Sequence, residues 1–260
     1  IDMIVFATLS PDMYFPGGGV EVQEMMGMRT IPALDVRNQC SGFVYAISVA
    51  DQFVKTGMYK NVLVIGSENH SGGLDMTTRG RNVSVIFGDG AGAAVVSRNE
   101  TGKGGILSTH LHSEGQHKNE LSLQGPSTGH WVPEIIAENP QENIPYYPVM
   151  NGQFVFKHAI VRFAEVIQEG LEANNLKVED IDMLIPHQAN LRISQFIQHK
   201  LKLTDDQVFN NIQKYGNTTA ASIPIALTEA WEEERIKEGD LVVLAAFGSG
   251  FTWGSVIIRW

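Results

Sequence analysis

The stretch Ile1–Phe6, with the sequence IDMIVF, recurs as IDMLIP at Ile181–Pro186. Both stretches are short apolar runs followed by a polar junction, which is typical of a buried strand. Three further pairs of segments follow in the same order. A helical stretch occurs at 41–57 and 218–236, a β-branched run at 62–66 and 241–245, and a strand interrupted by glycines at 87–96 and 247–258. The repeat predicts two similar α/β halves that arose by duplication, with functional groups at equivalent junctions of both.

The repeat also divides the chain into an N-terminal half, residues 1–105, and a C-terminal half, residues 106–260. In the C-terminal half, residues 106–180 precede the repeated strand, whereas no corresponding stretch precedes Ile1. We therefore expect the first half to lack about 75 residues at its start. On this expectation the chain is part of a longer protein, and a polypeptide beginning at Ile1 is poorly soluble because apolar sheet surface stays uncovered.

Composition limits the classes of partner. The chain has 260 residues, is 43% hydrophobic, and carries a formal net charge of −10. An acidic protein is a poor match for nucleic acid or an anionic membrane, since both require a basic surface. The sequence has no apolar run of the roughly 18 residues that a membrane span needs. A single cysteine cannot form an internal disulfide, which favours a reducing cytoplasm.

That cysteine, Cys40, stands where a strand-like run gives way to helical spacing. Unpaired N–H groups at a helix start are expected to lower the pKa of such a thiol. A lone cysteine is more often a small buried apolar residue. However, His187 and Asn217 stand at similar junctions, and the three complete a Cys-His-Asn set suited to nucleophilic catalysis.

The stretch from His110 to Tyr147 contains four histidines, His110, His112, His117 and His130. No set of tetrahedral zinc ligands can be drawn from their spacing, so we predict a solvated loop and no metal site. Helical spacing returns at 154–171, and Asn174 is predicted to end that helix.

A thiolate that attacks an acyl carbonyl needs N–H donors for the developing oxyanion, and the Cys40 N–H can be one of them. His187 and Asn217 offer a neutral imidazole Nε2–H and an amide NH₂, which could stabilise the enolate of a second thioester. This chemistry requires neither a metal nor a redox cofactor.

Five motifs in order, CSGF at 40–43, FGDGAG at 87–92, PHQANLR at 186–192, GNT at 216–218 and FTWG at 251–254, closely resemble those of the β-ketoacyl-acyl-carrier-protein synthase III family. This family belongs to the thiolase superfamily, and the resemblance covers essentially the whole chain. It implies a layered αβαβα fold from two duplicated halves, with Cys40, His187 and Asn217 as the catalytic residues.

The resemblance also implies the reaction and its partners. Cys40 would take an acyl group from an acyl-CoA primer, with the N–H groups of Cys40 and Ser249 as oxyanion hole. His187 and Asn217 would hold malonyl-acyl carrier protein while it loses CO₂, and the carbanion would attack the acyl-cysteine, which initiates fatty acid synthesis. A cytoplasmic homodimer without a cofactor is expected, and part of the CoA site would lie in the absent start.

Further positions carry over from the family. Phe15 would reach across the dimer to the partner's acyl pocket, Arg79 would contact the CoA nucleotide, and Arg192 would dock the carrier protein. The walls of the pantetheine tunnel would be Met150, Gly152, Ala189, Asn190 and Phe247. Ser249 departs from the family's glycine and must keep a backbone conformation that suits a residue with a Cβ.

Three alternatives need weighing. A papain-like protease also uses Cys-His-Asn, but it would carry a tryptophan soon after the cysteine, and the sequence has none there. A related synthase of secondary metabolism remains open, and the primer's length and branching are not legible from the sequence. A catalytically silent, carrier-binding relative is disfavoured because all three catalytic positions are intact.

Overall fold

The computed structural model describes residues 1–125, 127–128 and 147–260. His130 therefore lies outside the described residues. Ten strands are described, β1 Met3–Ala7, β2 Ala33–Val36, β3 Asn61–Glu68, β4 Gly90–Ser97, β5 Gly105–Ser113, β6 Leu121–Ser122, β7 Val149–Met150, β8 Met183–Pro186, β9 Leu241–Gly248 and β10 Thr252–Arg259. The described α-helices are α1 Gly18–Met25, α2 Gly42–Lys55, α3 Arg81–Ser84, α4 Gly152–Ala173, α5 Leu191–Leu201, α6 Ile212–Tyr215 and α7 Ser222–Glu232.

Each half of the chain contributes one four-stranded sheet. The first sheet has the order β2-β1-β3-β4 and the second the order β5-β10-β9-β8. In the first sheet β1 is parallel to β2 and β3, and β4 is antiparallel to β3. In the second sheet β8 is parallel to β9, and β10 is antiparallel to both of its neighbours. The division into domains at residue 105 stays a prediction.

The packing produces five layers. Helix α2 is buried on the central core with side chains from β1, β3, β8 and β9, so it lies between the two sheets. Helix α7 shares that core through Ile223 and Ala226. The outer face of the second sheet is covered by α4 and α5, and Val22 of α1 packs on the outer face of the first. This is the thiolase-like αβαβα arrangement that the sequence predicted.

The duplication has a constant register. Four elements of the second half each begin 180 residues after their counterparts in the first half. Strand β8 corresponds to β1, β9 to β3, helix α7 to α2, and the 3-10 turn Thr219–Ala221 to the turn Gln39–Ser41. Cys40 therefore corresponds to Ala220 in the second half. The pairing of the helical stretches 41–57 and 218–236 from the sequence implied an offset of 177 residues and was wrong by three positions, because apolar patterns locate a helix only to within a few residues.

Local sequence accounts for the helix that packs on the second sheet. Asn151 caps α4 by accepting the Phe154 N–H, and Asn174 ends the helix as predicted. The prediction of a loop from residue 110 was wrong at its start, since His110 and His112 lie on strand β5. Within the described ranges no group of three or more histidine, cysteine or acidic residues is placed to hold a metal ion. None of the described helices has the length and apolar character of a membrane-spanning segment.

Candidate active site

Cys40 lies in the centre of the 3-10 turn Gln39–Ser41, which leads directly into helix α2. Gln39 has a φ of 43°, which turns the chain sharply before the helix. The turn packs against strand β9 and against the second turn, Thr219–Ala221. Gly248 at the end of β9 leaves space for the thiol, because a Cβ there would lie 2.5 Å from Cys40 Cβ and 2.9 Å from Sγ.

The Cys40 thiol is protonated at neutral pH. Burial, followed by the charge of Glu68, raises the pKa of this thiol to about 12. The backbone N–H groups of Ser249 and Cys40 lower the pKa of the thiol and oppose that rise. The expectation that the helix start lowers the pKa is therefore wrong for the free protein, because desolvation of a side chain that is only 6% exposed is the larger effect.

The same two N–H groups form a candidate oxyanion hole, since both favour negative charge at the sulfur that would attack a carbonyl. Ser249 is not among the non-glycine residues with a positive φ, so a Cβ is accommodated there. Its hydroxyl donates to the carbonyl of Leu121. Thr252 Oγ1 donates to the Ser249 carbonyl at 3.1 Å and lies 2.6 Å from Ser41 Oγ, which connects the loop after β9 to the turn that carries Cys40.

His187 follows strand β8 directly, and its backbone N–H donates to the Ala245 carbonyl at 2.8 Å. The side chain is buried, and burial lowers its pKa to about 3, so the imidazole is neutral. Its Nδ1 lies 2.6 Å from Ser222 Oγ, whereas Nε2 is buried without a hydrogen-bond partner among the described residues. An unpartnered buried nitrogen is the atom that a substrate would be expected to meet.

Asn217 is held by its neighbours in a single orientation. Its backbone bonds to Ile86 and Gly88, with Asn217 N donating to the Ile86 carbonyl at 2.9 Å and Gly88 N donating to the Asn217 carbonyl at 3.0 Å. Its side-chain Oδ1 accepts the Thr219 N–H at 2.9 Å. Because the oxygen is engaged by the protein, the NH₂ group is left as the donor available to a ligand.

Glu68 is the main residue of this region that sequence reasoning missed. It ends strand β3, is only 4% exposed, and burial raises its pKa. Its carboxylate accepts hydrogen bonds from the N–H groups of Leu9, Ser10 and Ala220 at 3.1–3.3 Å. The hydroxyls of Thr8 and Ser10 donate to it at 3.3 and 2.6 Å. The only sequence signal was an acidic residue at the end of an otherwise apolar strand.

Several of the other predicted residues lie on strand β9 or at the start of helix α5. Phe247 is buried on β9, with its ring centroid 4.8 Å from that of Phe251. Asn190 caps α5 by accepting the Arg192 N–H at 3.0 Å, and Arg192 is exposed in the first turn. Ala189 is half-buried just before this cap.

Four further predicted residues lie toward the surface. Met150 on β7 is half-buried, and Gly152 begins α4. Arg79 bonds Asp75 at 2.5 Å and lies 5.3 Å from the ring centroid of Tyr147. Phe15 is 75% exposed on the segment between β1 and α1, so the structure of this single chain does not bring it to Cys40.

A duplicated αβαβα fold with a cysteine in the turn before helix α2, a histidine after strand β8 and an asparagine before the turn Thr219–Ala221 is that of a thiolase-like condensing enzyme. The comparisons with known proteins narrow this class. The 3-oxoacyl-(acyl-carrier-protein) synthase III family matches residues 34–115, and its C-terminal domain matches residues 171–260.

A beta-ketoacyl-(acyl-carrier-protein) synthase III of Rhodospirillum centenum is 47% identical over 100% of this chain and 77% of its own length. The crystal structure of 3-oxoacyl-(acyl-carrier-protein) synthase III from Aquifex aeolicus is 43% identical, with a TM-score of 0.88 over 100% of this chain and 77% of that one. The priming β-ketosynthase of the R1128 polyketide pathway is 28% identical, with a TM-score of 0.88 over 99% of this chain and 75% of its own. This chain belongs to the β-ketoacyl-acyl-carrier-protein synthase III family, whose members are acyl-transferring condensing enzymes.

Proposed function

We propose that this chain condenses an acyl-CoA primer with malonyl-acyl carrier protein, which gives a β-ketoacyl-acyl carrier protein and starts fatty acid synthesis. The observation that carries the proposal is the setting of Cys40, where the N–H groups of Ser249 and Cys40 favour negative charge at the sulfur. A thiol buried only for packing has no need of such groups. A carbonyl oxygen that becomes an anion during acyl transfer needs them.

In the first half-reaction Cys40 Sγ attacks the thioester carbonyl of the primer. The two N–H groups stabilise the resulting oxyanion, and the C–S bond to CoA then breaks. The proton that Cys40 loses ends on the departing CoA sulfur, so the products are acyl-cysteine and CoA thiol. Because the pKa of the free thiol is about 12, this proton must leave as the new C–S bond forms.

In the second half-reaction the malonyl thioester loses CO₂, and the electron pair of the broken C–C bond forms an enolate. The NH₂ group of Asn217 and Nε2 of His187 are the proposed donors to the enolate oxygen. For Nε2 to carry a proton, Nδ1 must accept a hydrogen bond from the Ser222 hydroxyl, 2.6 Å away, in place of the bond that this hydroxyl donates to the Thr219 carbonyl at 2.9 Å. The enolate carbon attacks the acyl-cysteine carbonyl, the C–S bond to Cys40 breaks, and the released thiolate takes up a proton from water, which restores the thiol. Imidazole, amide and thiol groups supply every step, so the proposed reaction uses no cofactor.

Three variants test these roles. Cys40→Ala should not be labelled by radioactive acyl-CoA, whereas the unaltered protein should be labelled stoichiometrically. His187→Ala and Asn217→Ala should each lower malonyl-acyl carrier protein decarboxylation by at least about 10²-fold while acylation of Cys40 changes much less. Equal labelling of Cys40→Ala, or a parallel fall of both half-reactions in the other two variants, would contradict the assignment.

A homodimer forms part of the proposal. Met13, Tyr14, Phe15, Val20, Met25 and Met26 are all exposed around the segment that joins β1 to α1. A contiguous apolar surface of this kind is typical of a protein interface. In a dimer Phe15 would enter the partner's acyl pocket, and light scattering should give twice the chain mass at micromolar concentration. A fully active monomer would exclude this arrangement.

Substrate contacts complete the proposal. Arg79 would contact the CoA nucleotide, Arg192 would meet the acidic carrier protein, and the five predicted tunnel residues would line the path of the pantetheine arm. We place the reaction in the cytoplasm, because a catalytic Cys40 must stay reduced. We favour fatty acid synthesis over secondary metabolism because the Rhodospirillum centenum synthase is 47% identical and the R1128 ketosynthase 28%. Competition between acyl-CoA primers of different length would define the primer.

A further inference from the structure

His70 is a buried histidine that the proposed reaction does not use. It follows strand β3, is 8% exposed, and packs with its ring centroid 5.0 Å from that of Phe87. Its backbone N–H donates to Asp89 Oδ1 at 2.7 Å, which fixes the start of the loop. Its Nε2 lies 2.7 Å from Thr219 Oγ1, on the turn of the other half.

Thr219 connects this histidine to Asn217. Its N–H donates to Asn217 Oδ1 at 2.9 Å, the bond that leaves the Asn217 NH₂ free. Thr219 also has a φ of 48°, a left-handed conformation that is costly for a β-branched residue. Such a conformation persists only where neighbouring contacts hold it. The hydrogen bond with His70 is the one that the Thr219 hydroxyl makes among the described residues, and it comes from the first half of the chain.

We infer that His70 is a positioning residue for Asn217: by bonding Thr219 Oγ1 it holds the turn in the conformation whose N–H orients the Asn217 amide. This inference rests on the proposed role of Asn217 in decarboxylation. Burial lowers the pKa of His70 to about 4, so its ring is neutral at neutral pH and contributes geometry and not charge. Without the bond the amide is free to rotate and to present its oxygen, which repels an enolate.

The test compares two half-reactions in the full-length protein. His70→Leu should lower malonyl-acyl carrier protein decarboxylation about tenfold or more, with acylation of Cys40 changed less than twofold, since misplacing a donor costs catalysis without affecting the other centre. His70→Gln, whose amide can still donate to Thr219, should recover most of the loss. Thr219→Val removes the hydroxyl without leaving a cavity and should match His70→Leu. His112→Leu, a histidine on the other sheet, is the matched control and should keep the unaltered rate.

Two further readouts separate positioning from general damage. In the Asn217→Ala background His70→Leu should cause no additional loss, because both act through one amide. Hydrogen exchange at the Thr219 amide should accelerate at least tenfold in His70→Leu and stay protected in His70→Gln. Full additivity with Asn217→Ala, or unchanged exchange in His70→Leu, would overturn the inference. The exchange result decides it even if the unaltered protein does not decarboxylate malonyl-acyl carrier protein, an outcome that would refute the proposed function.

Discussion

The ionisation of Cys40 gives the sharpest test of the site's electrostatics, because Cys40 is the only cysteine and alkylation therefore reports on it alone. We expect iodoacetamide to react with the free protein as with a thiol whose pKa is about 12. At pH 7.5 the thiolate fraction of an ordinary cysteine is roughly 10%, whereas at a pKa of about 12 it is on the order of 10⁻⁵. The alkylation rate should therefore rise about tenfold per pH unit from pH 7 to 10 without reaching a plateau.

The variant Glu68→Gln isolates the contribution of one charge to the pKa of Cys40. The Glu68 carboxylate raises the pKa of the Cys40 thiol, because its negative charge disfavours a nearby thiolate. A neutral amide removes that charge, so alkylation should become severalfold faster at each pH while the slope stays the same. Asp51→Asn is the matched control, since Asp51 is also a buried carboxylate and does not contribute to the pKa of Cys40.

Steric burial of the sulfur lowers the absolute rate but not its dependence on pH, so access and ionisation are separable. Quenching the alkylation at a series of times and measuring the intact mass gives both the absolute rate and its dependence on pH. A plateau with a midpoint below pH 9 would refute the reasoning and restore the view that the helix start governs the thiol. An unchanged rate in Glu68→Gln would show that desolvation alone sets the pKa.

Two other predictions concern packing and acid stability. Gly248→Ala should mainly impair acylation, because the new Cβ would lie 2.9 Å from Cys40 Sγ. Gly66→Ala should mainly impair decarboxylation, because its Cβ would lie 2.3 Å from the Ala220 carbonyl oxygen. Separate assays of the two half-reactions check this prediction, and identical losses in both would contradict it. His70 and His187 have folded pKa values lowered to about 4 and about 3, so the unfolded chain gains protons first and stability falls as pH decreases below about 6.5. Each of these two histidines should lower the free energy of unfolding by about 2 kcal/mol at pH 5. Urea unfolding of His70→Gln should therefore show a smaller loss of stability between pH 6.5 and 5 than the unaltered protein does.

The fold could be predicted largely because it is a duplication. Apolar runs such as those of β1 and β8 carry a strong signal when they occur twice in the same order, which predicted two α/β halves. The αβαβα layers were implied by the resemblance to the family, and the packing of the two cores confirms them. The exact register could not be predicted, because the apolar pattern is the same for several alignments of the turns. The positive φ values of Gln39 and Thr219 fix that register, and neither residue type signals it.

The candidate site was predictable in its residue types but not in its electrostatics. Cys40, His187 and Asn217 stand in local motifs that a sequence displays directly. The pKa of Cys40 depends on how completely the thiol is buried and on Glu68, which is 28 positions away in the chain. Ser222 beside His187 and His70 beside Thr219 are likewise contacts between distant segments, so no pattern in the sequence announces them.

The constant register shows how the two halves differ around the proposed nucleophile. Cys40 corresponds to Ala220, and Gly248 beside Cys40 corresponds to Glu68 beside Ala220. At Cys40 the glycine leaves space for the thiol, and the Cys40 N–H favours negative charge at the sulfur. At Ala220 the N–H donates to the carboxylate of Glu68 at 3.3 Å, so an internal carboxylate occupies the place that corresponds to the proposed oxyanion hole. In the proposed mechanism the second junction therefore takes no part in acyl transfer, and its turn orients Asn217 for the other half-reaction.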